Sequence, residues 1–166
     1  MKLIPIALSM ACVFILSGCA CSTAASKDPG TPSAVAKPVS PQTPGPVIYF
    51  DAQAVQTAFA KGGALLDRKD TNYQIITGRR VEPGLCEVHT FDTDLIYVVD
   101  GGATFVTGGT AVESKETAPG EFRGSGITGG TDRKMSKGDV IVVPAGTPHW
   151  FKEIKGEFLY FIIKVR

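Results

Sequence analysis

The chain lacks any sizeable net charge, because 17 Lys and Arg residues nearly balance 16 Asp and Glu residues and leave a net charge of +1. Without an excess of positive charge the chain has no field to draw it onto nucleic acid, which argues against a DNA- or RNA-binding role. Histidine is scarce, with two residues in 166, and cysteine contributes only four. The 19 glycines and 11 prolines disfavour an all-helical fold, because both residues weaken helix interiors. Hydrophobic residues make up 43% of the chain, enough to build a core.

Near the N-terminus, the apolar run at residues 3–16 is too short to span a bilayer as a helix. The run ends in Leu-Ser-Gly-Cys at residues 16–19, which resembles the lipobox of bacterial lipoprotein signals. This resemblance implies that residues 1–18 are a signal peptide and that Cys19 is acylated. The mature protein would then be exported and anchored to a membrane, facing the periplasm or the cell exterior. The alternative is an ordinary cleaved signal with an incidental cysteine.

Residues 19–46 hold six of the 11 prolines and are otherwise rich in Ala, Ser and Thr. Such a segment buries too little apolar surface to fold, so we expect a semi-stiff spacer between the lipid and one folded domain at residues 47–166. We expect no disulfide framework, since Cys21 of the spacer could reach Cys86 of the domain only if the spacer folded back. Cys86 is more typical of a buried, small apolar residue than of a nucleophile.

The domain begins with one predicted helix at residues 52–61, which Asp51 can cap and Gly62 can end. After it, short segments rich in Val, Ile and aromatic residues predict strands at residues 73–81, 85–91, 95–99, 103–107, 140–143 and 158–165. A turn is predicted at residues 100–102. Residues 110–136 are rich in Gly, Ser and Thr, so we expect an excursion with one or two weak strands. Many closely spaced short strands indicate an all-β sandwich or barrel.

Both histidines lie where they could act together. Strand alternation places Glu87 and His89 on one face of the segment 85–91, and His149 follows a Pro-Ala-Gly-Thr-Pro turn. If the strand of His149 faces that of His89, then two imidazoles and one or two carboxylates converge, which suffices to bind a divalent transition metal. The alternative is that each histidine is an ordinary core or surface residue.

Residues 84–101 and 138–149 resemble the two sequence motifs of the cupin superfamily, and residues 73–165 as a whole are similar to small exported bacterial cupins. In the first motif Glu87 replaces the usual first histidine, His89 matches the second, and Asp94 stands where glutamate is usual. The second motif is matched at every spacing by Gly138, Pro144, Gly146 and His149. Its final asparagine is replaced by Glu153.

This resemblance implies a small antiparallel jelly-roll β-barrel that holds one metal ion, with Glu87, His89, His149 and Asp94 as ligands by position. Asp94 ranks below the other three, because it is one methylene shorter than glutamate and could equally be a turn residue. A carboxylate in place of an imidazole makes the site harder, which suits Mn, Fe(II), Zn or Ni better than Cu(I). Without Asp94 the remaining three still form a set of two histidines and one carboxylate.

Such a site favours a metal-dependent enzyme of the dioxygenase, isomerase or lyase type that acts on a small polar metabolite. The alternatives are a non-catalytic sensor or binder of a small ligand and an inert structural barrel. By alternation one of Arg79 and Arg80 faces the interior, where it could bind a carboxylate substrate or pair with a neighbouring acidic side chain. Trp150 is a candidate for the pocket mouth. Barrels of this size often pair their edge strands, so a homodimer is possible.

Overall fold

The computed structural model describes residues 45–69 and 71–166 of the chain. The predicted signal peptide, the acylated Cys19 and nearly all of the predicted spacer therefore lie outside the described residues. Residues 46–166 form one compact unit. Within the described ranges, no helix combines the length and the hydrophobicity that crossing a membrane requires.

Helix α1 (Ala52–Lys61) has the bounds that the sequence predicts. The Asp51 carboxylate accepts a hydrogen bond from the Ala54 N–H, and Gly62 ends the helix at a φ of 70° by donating its N–H to the Ala58 carbonyl. The helix buries Phe59, whose ring centroid lies 5.0 Å from that of Phe161. One aromatic contact thus attaches the helix to the last strand of the sheet.

The described residues form eleven strands, all of them paired antiparallel, and the predicted all-β fold of jelly-roll type is confirmed. Nine strands make one curled sheet, and β5 and β8 make a separate pair. The strands are β1 (Gly63–Leu66), β2 (Tyr73–Arg80), β3 (Cys86–His89), β4 (Thr93–Thr107), β5 (Thr110–Val112), β6 (Lys115–Ala118), β7 (Glu121–Gly124), β8 (Gly126–Thr128), β9 (Thr131–Ser136), β10 (Val140–Val143) and β11 (His149–Val165).

The two longest strands, β4 and β11, pair with each other along most of their lengths. The turn predicted at residues 100–102 is wrong, because these residues belong to β4 and form an irregularity opposite a register shift in β11. Gly101 has a φ of 78°, and a Cβ atom there would lie 2.0 Å from the Glu157 carbonyl oxygen. Only glycine allows the two backbones to approach this closely and lets both strands continue past the bulge.

Residues 110–136 contain five strands rather than the one or two weak strands expected from composition. Two of them are held by pairing with distant segments, since β7 pairs with β3 and β9 pairs with β4. This non-local pairing overrides the weak strand propensity of Gly, Ser and Thr. It also brings β7 alongside the strand that carries His89.

The core lies inside the curled sheet and is built from alternate residues of its longest strands. Its buried members are Ile96, Val98, Ala103, Phe105, Met135, Val143, Phe151, Phe158 and Tyr160. The Phe105 ring lies 4.5 Å from that of Phe151 and 6.0 Å from the imidazole of His149. The apolar core therefore extends directly to one side of the candidate site.

Candidate metal centre

Strand pairing brings Glu87 and both histidines together. Glu87 and His89 lie two residues apart on β3, so their side chains point to the same face of the sheet. Strand β11 begins at His149, which is the cross-strand partner of Glu87. The turn at residues 144–148 delivers His149 to this position, and the N–H of Gly146 within it donates to the His89 carbonyl over 2.7 Å.

The potential ligand atoms of these three residues lie within 4.8 Å of one another. The His89 Nε2 atom is 3.4 Å from Glu87 Oε2, and the centroids of the two imidazole rings are 5.0 Å apart. His89 and His149 are 2% and 4% exposed, so both rings are withheld from solvent.

Hydrogen bonds fix which nitrogen of each ring faces the centre. His149 Nδ1 donates to the Thr147 carbonyl over 3.0 Å, because a carbonyl oxygen can only accept. His89 Nδ1 likewise lies 2.7 Å from Glu121 Oε2 and donates its hydrogen to that carboxylate. In both rings Nε2 is therefore the nitrogen that faces the other potential metal ligands.

The residues present fit a divalent transition metal. His89 Nε2 is buried and makes no hydrogen bond among the described residues, although the carboxylates of Glu87 and Asp94 lie 3.4 and 3.5 Å away, and coordination of a metal would satisfy it. Two imidazole nitrogens and one carboxylate oxygen are a donor set typical of Mn, Fe, Ni or Zn. The structure thus contains a cluster of Glu87, His89 and His149 that could hold such an ion.

Asp94 reaches the same centre but has a second partner. Its Oδ2 atom lies 3.5 Å from His89 Nε2 and 3.7 Å from His149 Nε2. On its other side the buried Lys164 ammonium donates to both carboxylate oxygens, over 2.8 and 3.1 Å. Although burial opposes ionisation, His89 and Lys164 hold the pKa of Asp94 below its usual value. Asp94 is therefore an anion shared between the two imidazoles and Lys164.

The Glu121 carboxylate supports His89 from behind and should affect metal binding without touching the ion. We expect Glu121→Ala to weaken binding of Zn²⁺ by about 10- to 100-fold, because loss of such a partner frees the ring and lowers its basicity. Titration calorimetry on the purified protein measures this affinity. Glu82→Ala is the matched control, since Glu82 is an exposed glutamate outside the cluster. Equal affinities for the two variants would show that Glu121 has no such role.

Burial and the charges around the centre shift the pKa values of Glu87, His89 and His149. Burial disfavours the charged form of Glu87, but His89 and Arg123 outweigh it and lower the pKa of Glu87 to about 2. Burial also disfavours the imidazolium of His89, yet the carboxylates of Asp94 and Glu87 raise the pKa of His89 to about 9. The pKa of His149 is lowered, chiefly by burial. In the metal-free protein at neutral pH, His89 is thus the protonated ring.

The raised pKa of His89 and the lowered pKa of His149 predict two separate histidine titrations in the chelator-treated protein. By NMR, the ring signals of His89 should titrate near pH 9 and those of His149 below 6.5. Since the pKa of His89 is raised on folding, its contribution to stability is complete below about pH 6.5 and is lost as the pH rises through about 9. The thermal midpoint of the metal-free protein should fall across that range. Two rings that both titrate near 6.5 would contradict this description.

A small cavity adjoins the centre, and of Arg79 and Arg80 only Arg80 lines it. The cavity measures about 20 Å³, room for little more than one water molecule, and Arg80, Glu87, His149 and Trp150 are among the residues that line it. Arg80 donates from Nε to the Tyr160 hydroxyl over 2.9 Å. Arg79 lies outside this cavity, where it pairs with Glu157 and is half exposed. Of the two arginines, only Arg80 is placed beside the centre.

Trp150 lies at the cavity with its indole N–H donating to the Gly84 carbonyl over 2.7 Å. This hydrogen bond holds the indole ring at the cavity. Trp150 is the residue that the sequence analysis names as a candidate for the pocket mouth. The side chain is partly buried, so it forms part of the cavity wall.

Three charged residues that lie near the centre are not identified by the sequence analysis: Glu121, Arg123 and Lys164. The first two lie in the excursion at residues 110–136, where no sequence signal shows that β7 pairs with β3. Lys164 did carry a signal, because a lysine interrupts the apolar segment Phe-Ile-Ile-Lys-Val near the end of the chain. A buried lysine in such a strand requires an acidic partner, which here is Asp94.

Comparison with known proteins places these features in a family. Residues 74–165 match the model of the Cupin family. Among solved structures, a cupin 2 conserved barrel domain protein from Rhodopseudomonas palustris is 14% identical, with a TM-score of 0.43, over 61% of this chain and 57% of that one. A cupin-2 domain containing protein from Shewanella frigidimarina is 13% identical, with a TM-score of 0.42, over 63% and 79%.

Procruciferin, an 11S globulin from Brassica napus, is 16% identical to this chain, with a TM-score of 0.42, over 57% of this chain. The match spans only 21% of the globulin's own length. No curated protein sequence matches the chain significantly.

Proposed function

This chain belongs to the cupin family, and from that premise we propose that it binds one divalent transition metal through Glu87, His89 and His149. The observation that carries the proposal is the buried His89 Nε2 atom, which has no hydrogen-bond partner in the part of the chain that the structure describes and faces a carboxylate and a second imidazole. The bound ion would be Mn, Fe, Ni or Zn, the metals that suit a mixed nitrogen and oxygen donor set.

We further propose that the protein is a metal-dependent enzyme acting on a small polar metabolite, of the dioxygenase, isomerase or lyase type. A metal in this setting supplies Lewis acidity, and as Fe(II) it also supplies reactivity toward oxygen. The chain's own residues orient the site: Glu121 and Thr147 fix the two rings, and the apolar core excludes water from one side. Arg80, which lines the cavity, would orient a polar substrate.

Elemental analysis and turnover assays test this function together. The full-length chain, purified in detergent, stripped with a chelator and reloaded, should hold one divalent ion per chain. Binding should also raise its stability, by about 2.7 kcal/mol when the free metal is at 100 times the Kd. The loaded protein should then consume oxygen, or form product without it, when offered mixtures of small organic acids and sugars. A chain that holds no ion removes the proposal.

A second candidate function is non-catalytic binding of a small ligand at the cell surface. The narrowness of the cavity weighs against catalysis, because about 20 Å³ leaves little room for a substrate to react beside the metal, whereas a ligand that binds from outside the cavity needs no such room. Stoichiometric metal with a ligand bound but never converted would support this candidate over the enzyme.

The proposed location also has a direct test. We propose that Cys19 is acylated and anchors the exported protein, as the Leu-Ser-Gly-Cys sequence indicates. In bacterial cells the wild-type chain should sediment with membranes, and Cys19→Ser should remain unprocessed and unlabelled by radioactive fatty acid. Cys21→Ser is the matched control and should label normally. Equal labelling of both variants would contradict acylation at Cys19.

A further inference from the structure

A surface cleft of about 570 Å³ borders the candidate metal centre and is a second place where a ligand could bind. Its volume lies within the range of small-molecule sites. It shares Leu85 with the small cavity, so the two are adjacent. The charged and hydroxyl side chains that line this cleft, here called the Arg123 cleft, belong to Glu113, Ser114, Lys115, Arg123 and Ser125.

Two guanidinium groups lie where the Arg123 cleft meets the centre. Arg123 Nη2 is 3.5 Å from Glu87 Oε2, and Arg80 Nη2 is 3.7 Å from Glu87 Oε1. Both separations exceed those of a good charged hydrogen bond, which are about 2.7–2.9 Å. Arg80 also donates to the Tyr160 hydroxyl, and Arg123 also donates to the Phe122 carbonyl and to Glu121. Each guanidinium still keeps N–H groups that make no hydrogen bond among the described residues, and both side chains are partly exposed to solvent.

The charge of the loaded centre would be strongly positive. Without a metal, the three carboxylates of Glu87, Asp94 and Glu121 face four cations, namely Arg80, Arg123, Lys164 and the protonated ring of His89. Imidazoles that bind a metal are neutral, so the loaded centre holds three carboxylates, three cationic side chains and a divalent ion, which leaves two positive charges uncompensated. Uncompensated charge in a partly buried site is costly, and an anionic ligand would relieve that cost.

We propose that the Arg123 cleft binds a small organic acid, whose carboxylate lies beside Glu87 at the edge of the metal centre and accepts hydrogen bonds from Arg80 and Arg123. This inference rests on the proposed function, because the excess positive charge comes from the ion. The cavity behind Glu87 has room for about one water, so only the carboxylate end approaches the centre. The rest of the acid lies in the Arg123 cleft, beside Lys115 and the serine hydroxyls.

Lactate and its neutral analogue lactamide provide matched probes. The full-length protein is loaded with Co²⁺, and each probe is titrated by calorimetry while the visible absorption of the cobalt is followed. Lactate should bind at least about 10-fold more tightly than lactamide, the factor expected for one charged hydrogen bond, and should shift the cobalt absorption. Arg80→Gln and Arg123→Gln should each lose about 10-fold or more in lactate affinity, whereas Arg79→Gln should bind as the wild type does.

The readouts separate this inference from the proposed function. The glutamine variants should retain Co²⁺ at one ion per chain, since neither arginine is a ligand, and Arg80→Lys and Arg123→Lys should recover part of the lactate affinity. If the wild type holds Co²⁺ but binds lactate no better than lactamide, or if both glutamine variants bind lactate normally, the inference is wrong and the metal site stands. If the wild type holds no Co²⁺, both are wrong.

Discussion

Replacing His149 with alanine should lower the affinity of the protein for Zn²⁺ or Mn²⁺ by at least about 100-fold. Loss of a carboxylate behind a ligand already costs about 10- to 100-fold, and loss of one of three ligands must cost more. His89→Ala should have an effect of the same size, because its Nε2 atom faces the same centre. Titration calorimetry on the metal-stripped protein measures both affinities.

Asp132→Asn is the matched control for these variants, since Asp132 is an exposed carboxylate that pairs with Lys152, away from the centre. Its metal affinity should equal that of the wild type. Far-UV circular dichroism shows whether the alanine variants remain folded. A folded His149→Ala protein that binds metal as tightly as the control would rule out His149 as a ligand.

Replacing Asp94 with alanine should destabilise the metal-free protein by about 3–5 kcal/mol, because it leaves the Lys164 ammonium buried without an anion. Lys164 is 7% exposed, and within the described residues Asp94 is the carboxylate that accepts hydrogen bonds from it. The double variant Asp94→Ala with Lys164→Met should recover most of the loss, since it removes both buried charges. Urea unfolding of the two variants at pH 7 measures these differences.

The metal affinity of the same double variant tests whether Asp94 also binds the metal. Because Lys164 engages both of its carboxylate oxygens, we expect the metal affinity of the double variant to fall by less than about 10-fold, below the loss for a full ligand. A loss as large as that of His149→Ala would make Asp94 a fourth ligand. A single variant as stable as the wild type would show that the Lys164 ammonium can reach water.

The parts of the fold that local sequence determines could be predicted well. Asp51 and Gly62 mark the ends of the helix by their own hydrogen bonds and backbone angle, and the structure keeps both bounds. Alternation along a short strand predicts that Glu87 and His89 share a face, and the structure places them 3.4 Å apart at their nearest ligand atoms. These features depend on neighbours within a few residues.

The parts that depend on distant pairing could not be predicted. Glu121 and Arg123 reach the centre only because β7 lies beside β3, a contact between segments more than 30 residues apart. Gly101 falls in a predicted turn because glycine marks turns and bulges alike, and only the partner strand distinguishes them. The motifs that carry the candidate ligands could therefore be predicted, whereas the charged residues around them required the structure.

The most direct test of a metal held by Glu87, His89 and His149 is a crystal structure of the reloaded protein, with anomalous diffraction recorded on both sides of the metal's absorption edge. An anomalous peak bonded to the Nε2 atoms of both histidines and to a carboxylate oxygen of Glu87 is the result that we expect. No peak there, or a peak bonded to neither imidazole, would contradict the metal site and the function proposed from it.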